Sequence, residues 1–190
     1  MEIEKVEETE DVLKLKLSDS DEAVANALRR SMMSKVPTLA VKHLEVSRND
    51  SGLFDEVVAN RVGQIPFSIP ENVDDESEVH VALNQDGPGK AVASDIQTDN
   101  DEAEPVNPDT EIVNLKENQG MEFEGVAVLN TGSEHAKHQG GTVGYEKKDE
   151  GEYLFRIEST SGYSNEELFN KAVEIMQSEI EEFEEAVENI

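Results

Sequence analysis

In the stretch VLKLKLS, Leu13, Leu15 and Leu17 alternate with Lys14 and Lys16. A period of two predicts a strand with one face buried and one wet. Residues Ile3 to Leu17 read as a pair of such strands. Through SDSDEAVANALRRSMMSKVP the period lengthens to that of a helix. Ser, Asp and Glu crowd its first turn as caps and dipole partners, Val24, Ala27, Leu28 and Met32 fall on one stripe, and Pro37 forces the exit. Arg29 and Arg30 flank that stripe near the helix end.

Further along, LAVKHLEVSRNDSG predicts a strand closing in a turn. LFDEVVANRVGQIPF predicts a short helix stopped by Gly63 and Pro66, and PENVDDESE a polar connector. VHVAL and KAVASDI read as strands on either side of the turn NQDGPG. TDNDEAEPVNPDT is a loop; it lacks the sixth-position glycine and twelfth-position glutamate of a calcium loop. EIVNL, MEFEGVAVL, TVGYEKK and EYLFRIEST predict further strands, the last pair joined as a hairpin through DEG. Strands and helices come in separate runs, so the class is α+β.

The chain closes on a helix from about Asn165 to Ile190, opened by Ser164 and Glu167 in the S-x-x-E capping arrangement. Phe169, Val173, Met176, Ile180, Phe183, Val187 and Ile190 are spaced 4, 3, 4, 3, 4, 3, a heptad seam with glutamates over much of the remainder. A seam this long needs something to lie against. Burying such side chains is worth about 1.5 to 3 kcal/mol each, and leaving them wet makes a large apolar patch. Either the chain's own sheet covers the whole helix, or the sheet covers the early part and another chain's helix covers the rest.

Charge then narrows the surroundings. The 190 residues carry 44 acidic against 16 basic side chains, a net charge of -28, spread along the chain and not gathered in one tail. An acidic surface around periodic apolar segments fits a folded protein in a salt-rich cytoplasm, where at molar ionic strength the Debye length falls to about 3 Å and self-repulsion is screened. Such a surface is a poor landing site for phosphate backbones, so no direct sequence-specific nucleic-acid contact is expected. The absence of cysteine removes disulfides, thiolate metal sites and iron-sulfur ligation. MEIEKVEETE has no apolar signal core and no run is long enough to span a bilayer, so a soluble cytoplasmic protein without membrane contact is expected.

Catalytic motifs are missing: there is no phosphate loop, no G-x-S-x-G elbow and no H-E-x-x-H. Glu134, His135 and His138 sit close in sequence without an evident fourth metal ligand, and hydrogen bonds that hold a loop are their expected use. No catalytic, cofactor-binding or metal-binding residue is nominated, and the expected role is not that of an enzyme acting alone.

The runs ANALRRSMMSKVPTLAVKHLEV, LFDEVVANRVGQIPF, SEHAKHQ and FRIESTSGYSNEELFNKAVEIM together resemble, in order, the D-type subunit family of archaeal DNA-directed RNA polymerase. That family is the counterpart of the bacterial alpha subunit's N-terminal domain and of the eukaryotic third-largest subunit. The resemblance covers nearly the whole chain. It implies a discontinuous dimerisation domain, an antiparallel sheet with two packed helices at residues 1–40 and 144–190, interrupted by a mainly β inserted domain at 41–143. It implies a heterodimer with small subunit L through the first and last helices, with Val24, Ala27, Leu28, Phe169, Val173, Met176, Ile180, Phe183 and Val187 at the interface. That heterodimer would be the platform for subunits N and P and the large catalytic subunits, with Arg29 and Arg30 reaching carboxylates or carbonyls on a large subunit. A guanidinium suits that task because it stays charged and offers a rigid fork of donors.

Two departures from the family stand out. Many relatives carry cysteines for an iron-sulfur cluster in the inserted domain, whereas Pro70 to Glu78 here is a short connector without a thiol, so a colourless, cofactor-free protein is expected. The family's aromatic residue and proline after His-Ala-Lys are replaced by His138 and Gly140 around Gln139, so that loop's usual contacts are not carried over. The competing class is a stand-alone acidic binding module, a chaperone or nucleic-acid mimic that engages basic proteins. Homodimerisation through the same helices is a further possibility.

Overall fold

The computed structural model describes residues 1–188. In chain order the strands and helices are β1 (Glu2–Glu8), β2 (Leu13–Ser18), α1 (Glu22–Ser34), β3 (Thr38–Asn49), α2 (Asp55–Gly63), β4 (Pro66–Phe67), β5 (Glu78–Asp86), β6 (Gly89–Val92), β7 (Gln97–Thr98), β8 (Glu111–Leu115), β9 (Gly120–Asn130), β10 (Gly141–Asp149), β11 (Glu152–Ser159) and α3 (Asn165–Glu188). The class is α+β with antiparallel sheets. The chain divides into two compact units, Met1–Pro37 with Thr131–Ile190, and Thr38–Asn130.

In the first unit the strands run in the order β1-β2-β11-β10. Antiparallel register sets Leu13, Leu15 and Leu17 opposite Ile157, Phe155 and Tyr153, with Val143 opposite Ile157 on the far side. Side chains opposite one another share a face, so the leucine alternation becomes one apolar layer. Ala25, Leu28 and Met32 of α1 and Leu168 and Ala172 of α3 cover it. β1 lies beyond this cover: Ile3, opposite Leu17, is half exposed. Gly151 adopts a φ of +75° in the β10–β11 turn, a conformation that favours glycine.

The buried stripe of α1 is rotated from the expected one. Ala25, Leu28, Ser31 and Met32 face inward, Val24 is half-buried and Ala27 is exposed. Ser31 was invisible to apolar periodicity; its Oγ donates to the Ala172 carbonyl at 3.1 Å, and its small size lets α1 and α3 approach. Asp21 caps the helix, its Oδ1 accepting from the Val24 N–H at 2.9 Å.

The second unit holds a five-stranded sheet in the order β4-β3-β9-β5-β7 and a two-stranded pair β6-β8. Phe67, Phe123, Met121, Leu83 and Ile112 are fully buried in its core with Val58 and Val62 of α2. KAVASDI does not continue as one strand. The Asp95 carboxylate accepts from the Val92 N–H at 2.9 Å and turns residues Ala93–Asp95 into a 3-10 helix. The strands flanking NQDGPG do not pair with each other: β5 lies beside β9 and β7, and β6 beside β8.

The capping arrangement at α3 is reciprocal. The Ser164 N–H donates to Glu167 Oε2 at 2.8 Å, and the Glu167 N–H donates to Ser164 Oγ at 3.2 Å. These bonds, the Ser164 backbone bond foremost, hold the Glu167 carboxyl below its ordinary value. A folded value below the unfolded one means stability that is present above the unfolded value and lost as pH falls through the folded one. Ser164→Ala is expected to cost about 1 kcal/mol in urea denaturation at neutral pH. An unchanged midpoint would contradict the cap, and the parent's own margin should shrink on acidification through the carboxylate range.

Candidate functional site

α3 carries two apolar stripes in its first half and one in its second. Leu168 and Ala172 are fully buried and Ile175 packs beside them on the first unit's core. One position over, Phe169, Val173 and Met176 of the seam are half-buried against the same core. Beyond Met176 the inner stripe ends, and residues 177–188 are all exposed. Ile180, Phe183 and Val187 are 57%, 69% and 51% exposed, so the outer half of the seam is covered by nothing in its own unit. Ile190 lies outside the described residues.

At 24 residues the helix is about 36 Å long at 1.5 Å per residue. Glu184, Glu185 and Glu188 crowd the negative end of the helix dipole, where no basic residue stands in the last turn.

α1 and the outer half of α3 enclose a groove of about 300 Å³ lined by Ala27, Arg30, Lys35, Met176, Glu179, Ile180 and Phe183. Its floor is apolar. Lys35 Nζ meets Glu179 at 2.5 Å and ties the end of α1 to the middle of α3. Ala27, exposed and small, opens this groove, whereas Leu28, only 6% exposed, belongs to the chain's own core.

The two arginines part company. Arg29 is half-buried, with Nε and Nη2 donating to Asn26 Oδ1 at 3.3 and 3.1 Å and Nη1 to Met33 Sδ at 3.1 Å. The Arg30 guanidinium is exposed and makes no side-chain hydrogen bond or ion pair among the described residues, despite the surplus of acids in the chain.

The loop with His135 and His138 closes the C-terminal end of α1. Ser133 donates its N–H and Oγ to the Ser34 carbonyl at 3.0 and 2.9 Å, satisfying one of the terminal carbonyls of the helix. A Cβ on Gly140 would come within 2.5 Å of the Met32 carbonyl, so the backbone approaches α1 as only glycine allows. His138 is buried, and His135 Nδ1 accepts from the Lys137 N–H at 3.2 Å. Among the described residues no three His, Asp or Glu side chains are grouped to hold a metal ion. The chain has no thiol to offer an iron-sulfur cluster, so its donor set does not fit one. No described helix is long and apolar enough to cross a membrane.

A family model described as the RNA polymerase Rpb3/RpoA insert domain matches residues 51–147. DNA-directed RNA polymerase subunit Rpo3 of Thermococcus kodakarensis is 34% identical over 189 residues, covering 96% of this chain and 71% of the relative. The Rpo3 subunit of Pyrococcus furiosus is 39% identical over 152 residues, 76% of this chain and 58% of the relative. That of Natronomonas pharaonis is 40% identical over 124 residues, 65% of this chain and 50% of the relative. The chain thus spans between half and about seven tenths of the length of these relatives.

Proposed function

This chain belongs to the family of DNA-directed RNA polymerase subunit Rpo3, the archaeal D-type subunit, and from that premise we propose that it is a non-catalytic assembly subunit of the polymerase. The observation that carries the reading is the outer half of α3, whose Ile180, Phe183 and Val187 stand in water on a helix that its own sheet covers only at the start. The occupant is a helix of small subunit L, packed along the seam and into the groove beside Ala27. The dimerisation domain expected at residues 1–40 and 144–190 is assigned to the first compact unit, and the inserted domain expected at 41–143 to the second, whose bounds are the narrower Thr38–Asn130. The heterodimer is the platform for subunits N and P and the large subunits, in the cytoplasm, and the chain brings no cofactor of its own.

Arg29 and Arg30, at the end of α1, are the proposed contact with a large subunit. Arg29 is braced along its helix by Asn26 and Met33, and Arg30 is free among the described residues to meet a carboxylate. Tagged chain purified from its host at molar salt is expected to retain subunit L and the large subunits. The Arg29→Ala, Arg30→Ala double variant is expected to lose the large subunits and to keep subunit L, which is held by the apolar seam of Ile180, Phe183 and Val187 and not by Arg30 at the edge of the groove. Recovery of no polymerase subunit by the parent chain would defeat the proposal. The rival acidic module would shed its basic partners as salt rises, whereas an apolar seam holds or tightens.

A further inference from the structure

We propose that Glu184 and Glu188 set partner choice at the outer seam of α3: they admit a helix of subunit L that carries cations along one flank, and they turn away a second copy of this chain. That the seam meets subunit L rests on the function proposed above; the choice of side chains rests on the geometry of α3.

A helix advances about 100° per residue. Measured from the middle of the ridge formed by Ile180 and Phe183, Glu184 stands about 70° round the helix, Glu188 about 110° and Glu181 about 130°, all on one side. Spaced 3 and 4, the three make a row beside the ridge. Glu179 stands about 70° round the other way, where α1 brings Ala27, Arg30 and Lys35 to the groove.

The row has no cation of its own. Upstream, Glu174 meets Lys171 at 3.0 Å and Glu179 meets Lys35 at 2.5 Å. Glu181, Glu184 and Glu188 are exposed and make no side-chain hydrogen bond or ion pair among the described residues. Local electrostatics oppose them. They repel one another at i,i+3 and i,i+4 spacing, and Glu184 and Glu188 stand toward the negative end of the helix dipole, which favours cations. Solubility would be served as well by Glu182 and Glu185, about 130° the other way and about 170° round. The row differs from these because a helix lying along the ridge passes over it.

The partner's chemistry follows. A helix packed on Ile180, Phe183 and Val187 takes water from the near side of Glu184 and Glu188, and a carboxylate that loses water needs a cation in return. Flanking charges of this kind set partner and orientation in paired helices. The helix of subunit L is therefore expected to place Lys or Arg beside the row. A second copy of this chain brings glutamates to the same flank, and the Lys35 beside its groove is already held by Glu179. The seam supplies the strength and the row the choice.

The test titrates full-length chain with subunit L at molar salt and follows association by sedimentation. Glu184→Lys with Glu188→Lys reverses the row, and Glu182→Lys with Glu185→Lys makes the same change of net charge on the back of the same helix. The reversed row should weaken the complex about tenfold or more, the reversed back less than about twofold. Circular dichroism of both should match the parent, and the melting temperature of the reversed row should hold or rise, because lysine suits the C-terminal end of a helix. Glu184→Gln with Glu188→Gln, a gentler change should lysine disturb the fold, should lose about threefold by giving up attraction without adding repulsion. Parent-like binding by the reversed row or by the glutamine pair would overturn the proposal. Equal losses in the two reversed pairs would also overturn it, since net charge and not position would then be at work, as would a dimer of the parent chain alone under the same conditions. If the seam reading itself were wrong, the parent would not bind subunit L, or Phe183→Asp would bind it as the parent does; a failure of the row alone leaves the loss on Phe183→Asp in place.

Discussion

Phe183→Asp is expected to abolish the proposed heterodimer with subunit L while leaving the chain folded. Phe183 is 69% exposed in the isolated chain, so its replacement removes almost nothing from the chain's own core. Covered by a partner helix, the same ring would be desolvated at the centre of the outer seam, between Ile180 and Val187. Losing its burial forfeits about 3 kcal/mol. Placing a carboxylate against an apolar partner adds the cost of a buried, unpaired polar group, about 1 to 3 kcal/mol on mutational scales. Together these raise the dissociation constant about a thousandfold, at 1.4 kcal/mol per factor of ten. Sedimentation of the variant with subunit L at molar salt should show separate species, with circular dichroism and melting temperature as in the parent. Undiminished association would mean that the outer seam is not the interface.

Phe155→Ala attacks the other side of the same assembly. Phe155 is 1% exposed, opposite Leu15 on β2 and Tyr145 on β10, with the Tyr145 ring centroid 5.4 Å away. The methyl group of alanine cannot fill that volume, and the neighbours on two strands cannot close on it without breaking register. The expected cost is about 3 to 5 kcal/mol of unfolding free energy. Domains hold only about 5 to 15 kcal/mol in total, so the loss is a large fraction of the margin. α1 and α3 rest on this layer, so the proposed partner, subunit L, should be lost as a consequence of unfolding, in contrast to Phe183→Asp. Urea denaturation followed by far-UV circular dichroism distinguishes the two, and a loss under about 1 kcal/mol would contradict the packing described.

Much of the architecture was legible in local patterns. The leucine-lysine alternation of β2, the stop of α1 before Pro37, the β10–β11 hairpin and the Ser164–Glu167 box each depend on neighbours a few residues apart. Two features were not legible in that way. Ser31 joins the α1–α3 contact because it is small and its hydroxyl finds the Ala172 carbonyl, a fact about a residue far along the chain. Phe54 reads in the sequence as one more apolar residue before a short helix, and only the folded unit shows that nothing covers it. A signal was available there in principle: a phenylalanine where a helix start favours a capping oxygen.

The sequence by itself determined most of the strands and all three helices, though not the break of KAVASDI at Ala93–Asp95, and it determined that the terminal helix carries a heptad seam and that thiolate chemistry is closed to this chain. Those follow from periodicity and composition, which are properties of neighbouring residues. Tertiary structure alone decided which of the two apolar stripes on α3 the sheet would take. Leu168 and Ala172 went inward and the seam was left at the border and then in water. The reason is that a helix offers faces about 100° apart for each step of one residue, and sequence spacing fixes the faces without saying which will meet the sheet.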